Sequence, residues 1–147
     1  MNPGIVLFNT VQNLSVDTSA RKLLVVLNDG QHYPFITVAT TSKPCSLRGV
    51  RPGCQARDKL PSFYLPLHST YLKEETWIQL DRFVDMDPSM LIQGVSARKL
   101  VKVCRLPKKI LKDLFICAIS CKDILENQEK ELWKMLANIE KYYQKTD

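Results

Sequence analysis

Up to Leu106 the apolar residues of this chain fall in short runs cut by turn residues; from Pro107 onward they recur at helical spacing. A change of period of this kind, from strand-like to about 3.6 residues, demands a sheet assembled first and helices laid on it afterwards. The runs are readable one by one. Ile5 to Phe8 follows Pro3-Gly4 and reads as a first strand. Leu23 to Leu27 is uninterrupted aliphatic sequence ending at Asn28-Asp29-Gly30, the pattern of a fully buried strand closed by a tight turn. Phe35 to Thr40 is β-branched and alternating, and Phe63 to Leu67, Thr76 to Leu80 and Leu100 to Leu106 are further strands. Val84-Asp85-Met86-Asp87-Pro88 reads as the start of a turn.

Two stretches between the runs stand out. Residues 9–20 are polar and turn-rich and read as a long hairpin loop. Residues 41–61 hold Lys43, Arg48, Arg51, Arg57 and Lys59 against the single acid Asp58. A structureless connection of that length inside a compact domain is usually functional or disordered.

The helical part has two pieces. Ile110, Leu111, Leu114, Ile116, Cys117 and Ile119 run through one helix that starts at Pro107. Its first turn carries Lys108 and Lys109, the wrong sign for the helix dipole, so these lysines serve something other than that helix end. In the last segment Leu132, Leu136, Ile139 and Tyr143 form a seam broadened by Trp133 and Met135. That seam can pack on the body, on a second copy or on a partner, the body foremost.

Composition fits one domain with a real core. The chain has 147 residues, 45% of them hydrophobic, which excludes a disordered polymer. No apolar run approaches the roughly 20 residues of a membrane helix. The N-terminus lacks a basic stretch followed by a cleavage site, so a cytosolic location is expected. Of the cysteines, Cys117 and Cys121 read as small core residues four apart on a helix. Cys45 and Cys54 are close enough in sequence for a bridge across their loop, but a reducing cytosol favours free thiols. No paired-cysteine or cysteine–histidine spacing supports a zinc site, and no metal is expected.

The net charge is +6 and it sits in the body. Residues 1–60 carry seven Lys/Arg against three Asp/Glu, whereas residues 122–147 carry five against six. A basic body points toward a polyanion, nucleic acid first. No phosphate-binding glycine loop, zinc-protease or serine-hydrolase motif is present, and the two histidines, His32 and His68, stand alone in loops. Two clusters remain. Thr40-Thr41-Ser42-Lys43 brings hydroxyls and a cation to a strand end, suited to a phosphate. In Gln79-Leu80-Asp81-Arg82 a carboxylate adjoins a guanidinium, as a surface ion pair or as a base beside a phosphate clamp.

In order along the chain, Pro3-Gly4-Ile5-Val6-Leu7, Arg21-Lys22 with the strand that follows, Val38 to Lys43, Trp77 to Arg82, and Leu100 to Leu114 resemble the landmarks of the MazF/PemK/Kid toxins of bacterial toxin–antitoxin systems. The resemblance spans about Pro3 to Leu125. It implies an SH3-like barrel over residues 1–125 with a basic insertion at 43–61, mainly β with C-terminal helices, and a C-terminal amphipathic helical extension at 126–147. It implies a homodimer that cleaves single-stranded RNA without metal or other cofactor, is neutralised by a cognate antitoxin, and does not enter membranes.

The carried-over catalytic positions are Arg21, Thr40 (or Thr41 with the register one residue later) and Asp81. Arg21 would steady the phosphate oxygens through its planar fork, the threonine would donate to them, and Asp81 would be the base for the 2′-hydroxyl. Lys43, Arg48, Arg51, Arg57 and Arg82 would guide the RNA backbone. Lys22 replaces the family's proline, and Gln79 stands where some members carry an arginine acid. These departures keep a second expectation in play, a barrel module that binds RNA or a protein without cutting.

Overall fold

A computed structural model describes residues 1–10, 23–42, 51–57, 60–70, 72 and 74–144. Among these residues eight strands form one antiparallel sheet: β1 (Ile5–Asn9), β2 (Leu23–Val26), β3 (Phe35–Thr41), β4 (Gly53–Gln55), β5 (Ser62–Leu65), β6 (Thr76–Gln79), β7 (Val84–Met86) and β8 (Leu100–Arg105). The spatial order is β4-β5-β6-β3-β2-β1-β8, with β7 beside β3. Helices are α1 (Pro88–Ser96), α2 (Lys108–Ile119), α3 (Glu126–Ala137) and α4 (Ile139–Tyr142). The fold is therefore α+β, an antiparallel sheet with its main helices at the C-terminal end. The sheet is not closed: among the described residues β4 pairs only with β5, and β8 only with β1.

The uninterrupted aliphatic run of β2 has a simple cause. Val25 and Leu27 enter the core under α2, α3 and α4, with Val6, Ile36, Val38, Leu111, Leu114 and Phe115. Val26 and the half-buried Leu24 face the other way, into a smaller core with Ile5, Leu7, Phe35, Leu100 and Leu91 of α1. Both faces of this part of the sheet are covered, so alternation with polar residues disappears.

Four sequence expectations need correction. The basic loop contains a strand, β4. Residues 84–88 are not a turn but β7 followed directly by α1. The signal for α1 was present: Asp87 caps the helix, accepting from the Ser89 N–H at 2.8 Å, and Pro88 opens it. The last amphipathic stretch is two helices, parted at Asn138, whose side-chain amide donates to the Lys134 carbonyl at 2.9 Å. Such local side-chain bonding competes with helix continuation. Finally, Cys54 is bonded to Cys117 rather than to Cys45, and neither Cys54 nor Cys117 is a free thiol. Cys117 is buried, but as half of a bridge. The reason is register: Cys54 opposes Phe63, which opposes Ile78, and that row faces the core beneath α2.

Lys108 finds its purpose in tertiary structure. Its ammonium meets Glu140 of α4 at 2.9 Å, and that bond holds the Glu140 carboxyl below its ordinary value. The seam of α3 packs on the body through Leu132 and Met135, and Ile139 of α4 joins them, while Trp133 points away and is exposed.

Candidate nucleic-acid interface

Register places the chemistry. Thr41 opposes Trp77, Trp77 opposes Tyr64, and Tyr64 opposes Gly53, so these four share one face across β3, β6, β5 and β4. The next row on that face is Gln79, Ser62 and Gln55. Thr40 belongs to the opposite face with Ile78 and Phe63; it is buried and its hydroxyl donates to the Leu23 carbonyl at 3.2 Å. Of the two candidate threonines, Thr41 is the one on the polar face.

That face has a built character. The Tyr64 and Trp77 rings stack with centroids 4.6 Å apart. The Tyr64 hydroxyl donates to Glu75 at 2.8 Å, and this bond pushes the phenol's pKa up. Two polar atoms there, Trp77 Nε1 and Ser62 Oγ, are buried without a hydrogen-bond partner among the described residues, a costly state for groups that lose water on folding. Arg51 and Arg57 are exposed on either side of β4.

Asp81 does not join this group. It lies four residues beyond Trp77, past the other end of β6, roughly 13 Å along an extended chain. Asp81 and Arg82 are both exposed in the link by which the chain passes from β6 to β7 along the same edge of β3. No ion pair joins them among the described residues. Arg21, Lys43 and Arg48 lie outside the described residues. Sequence reading missed Glu75, Tyr64 and Trp77. The alternation of Ser62-Phe63-Tyr64-Leu65 carried the signal, since it sends Tyr64 away from the core.

A second polar cluster fastens the C-terminal helices. Asn28 is fully buried; its amide donates to the Pro34 carbonyl at 3.0 Å and to Glu131 of α3 at 2.8 Å, and its oxygen accepts from the Ile36 N–H at 2.8 Å. Tyr142 donates to Asp29 at 2.5 Å and Tyr33 to Asp85 at 2.8 Å, while Gln128 of α3 donates to Asp85 at 3.0 Å. Its acidic groups are spent on docking. No group of His, Cys, Asp and Glu among the described residues is arranged to hold a metal ion.

This cluster makes stability pH-dependent at the alkaline end. Burial, and next the Asp85 carboxylate, push Tyr33 from 10.0 up to about 12. Burial and Asp29 push Tyr142 in the same direction. A phenol that holds its proton more tightly when folded stabilises the fold below its unfolded pKa, and that contribution is lost as pH rises through the folded value. Stability is expected to fall between about pH 10 and 12, and the double variant Tyr33→Phe, Tyr142→Phe to fall less steeply. Urea midpoints across that range check this; parallel curves for both proteins would refute it.

No helix among the described residues is long and apolar enough to cross a membrane. No family model, curated protein or solved structure matches the chain.

Proposed function

We propose that this protein is a MazF/PemK/Kid-like toxin: a homodimeric endoribonuclease acting on single-stranded RNA without a metal, held in check by an antitoxin, and built on an SH3-like barrel left open between β4 and β8. The observation that carries the reading is the juxtaposition at one end of the sheet. The start of β2, which follows Arg21 in sequence, adjoins the hydroxyl end of β3, and Thr41 there shares a face with the stacked Tyr64 and Trp77. Arg51 and Arg57, both exposed, lie two residues before and two residues after β4, the strand whose Gly53 opposes Tyr64. Cations beside aromatic rings are the elements from which single-strand sites are made.

The chemistry required is in-line transfer. The RNA 2′-hydroxyl attacks phosphorus, a base takes its proton, the bond to the 5′-oxygen breaks, and an acid returns a proton to that oxygen. Arg21 and Thr41 would bind the phosphate oxygens. For the base, the resemblance gives Asp81, whereas the geometry around Thr41 favours Glu75 with its Tyr64 partner. The same separation of Asp81 from Thr41 favours the second reading, a module that binds RNA or protein without cleaving it.

The deciding assay incubates the full chain with a long single-stranded RNA in EDTA, beside a matched DNA. RNA alone should be cut, leaving cyclic phosphate and 5′-hydroxyl ends. Arg21→Ala should slow cleavage at least roughly 100-fold, the usual loss for a donor to a developing oxyanion. Comparing Glu75→Gln with Asp81→Asn identifies the base. Intact RNA, in a folded preparation free of antitoxin, would overturn the nuclease reading in favour of the binding module.

A further inference from the structure

We propose that the Cys54–Cys117 disulfide is a redox-operated clasp that sets the order of the basic β4 segment. The bridge joins residues 63 apart in sequence and is the covalent tie between β4 and α2. Among the described residues β4 is otherwise held by its pairing with β5 and its packing on α2. It is three residues long, stands at the end of the sheet, and is paired only to β5 among the described residues. Its first residue, Gly53, has a φ of +97°, a conformation that favours glycine. A three-residue edge strand contributes few hydrogen bonds and belongs to the least stable part of a fold.

The two ends of the bridge differ in access. Cys54 is exposed, whereas Cys117 is 1% exposed and lies among Leu114, Phe115 and Ala118. Cys54 is therefore the end of the bridge nearer to solvent, where a low-molecular-weight thiol would enter. Its thiolate attacks there, forming a mixed disulfide on Cys54 and expelling Cys117 as a thiolate that takes up a proton. A second thiol releases Cys54, so the protein gains two hydrogens and the reductant leaves as its own disulfide. The reverse exchange with that oxidised small molecule restores the clasp.

The neighbouring thiol does not interfere. Cys121 sits one turn on, donating to the Cys117 carbonyl at 3.3 Å. Burial, helped by the Asp123 charge, pushes it up to about 11. A thiol that stays protonated is a poor nucleophile, so the bridge opens without passing to Cys121. Opening frees the strand flanked by Arg51 and Arg57; the consequence for RNA rests on the functional reading above.

Hydrogen exchange on the full chain, with and without dithiothreitol, tests the clasp. Amides of residues 51–57 should exchange roughly tenfold faster after reduction, with β1, β2, β3 and α2 unchanged, as expected for sub-global opening. Cys54→Ser should show the fast rate under both conditions, and Cys121→Ser should behave as wild type. Unchanged exchange at 51–57, or loss of protection throughout the sheet on reduction, would overturn the proposal. So would a Cys54→Ser protein that does not fold, because the bridge would then be a structural staple. A fluorescent oligouridylate read in parallel separates the two claims. Its affinity should weaken severalfold on reduction, as the arginines lose pre-organisation. An unaltered affinity beside altered exchange would count against Arg51 and Arg57 as RNA contacts and leave the clasp standing.

Discussion

Asn28→Ala is expected to lower the unfolding free energy by about 3–5 kcal/mol, the sum of several buried hydrogen bonds and the cost of stranding their partners. Asn28 is 0% exposed and uses three of its hydrogen-bonding positions, on Pro34, Ile36 and Glu131. Alanine leaves a carbonyl, an amide N–H and a carboxylate without partners where water does not enter. The loss corresponds to a fall of roughly 10 °C in Tm for a domain of this size. Glu131→Gln is the informative control: it keeps an oxygen acceptor for Asn28 and removes the charge, so it should cost less than about 1 kcal/mol. Urea denaturation of the two variants checks both. An Asn28→Ala protein within about 1 kcal/mol of wild type would mean that α3 is not docked through this residue.

The second large effect comes from Gly30, in the turn between β2 and β3. Its φ is +74°, in the left-handed region, and a Cβ there would sit 2.5 Å from Cε1 and 2.8 Å from Cε2 of Phe35. Phe35 is 2% exposed and fills the smaller core, so its ring has little freedom to move aside. Gly30→Ala is therefore expected to cost about 2–4 kcal/mol, from backbone strain and overpacking together. Gly30→Asn separates the two, since asparagine tolerates the left-handed region but carries the same Cβ. If the ring contact dominates, both variants lose similar stability. Wild-type stability in Gly30→Ala would show that Phe35 yields at no cost.

The strands that could be read in advance were those whose packing writes itself into the sequence. β1, β2, β3, β5 and β6 fall where apolar runs announced them, because each buries side chains on a face that polar residues would spoil, and β8 also falls on its apolar run although it buries only Leu100 and leaves Val101 and Val103 exposed. β4 and β7 were hidden for the complementary reason. Gly53-Cys54-Gln55 and Val84-Asp85-Met86 are short and largely uncovered, so they carry no apolar pattern, and they are strands because β5 and β3 offer them partners. The candidate site divides the same way. That the end of β3 carries hydroxyls was legible. Which threonine shares a face with the aromatic pair, and that Asp81 stands at the far end of β6, required the register.

By itself the sequence determined the order of elements, the identity of most core positions and the concentration of positive charge in the body, because periodicity, burial and charge are properties of neighbouring residues. Only the tertiary structure decided which cysteine Cys54 bonds, what Lys108 and Asn28 are for, and that the sheet remains open. Each of those depends on two segments far apart in the chain meeting across the sheet, and the free energy of such a meeting belongs to the pair rather than to either segment alone.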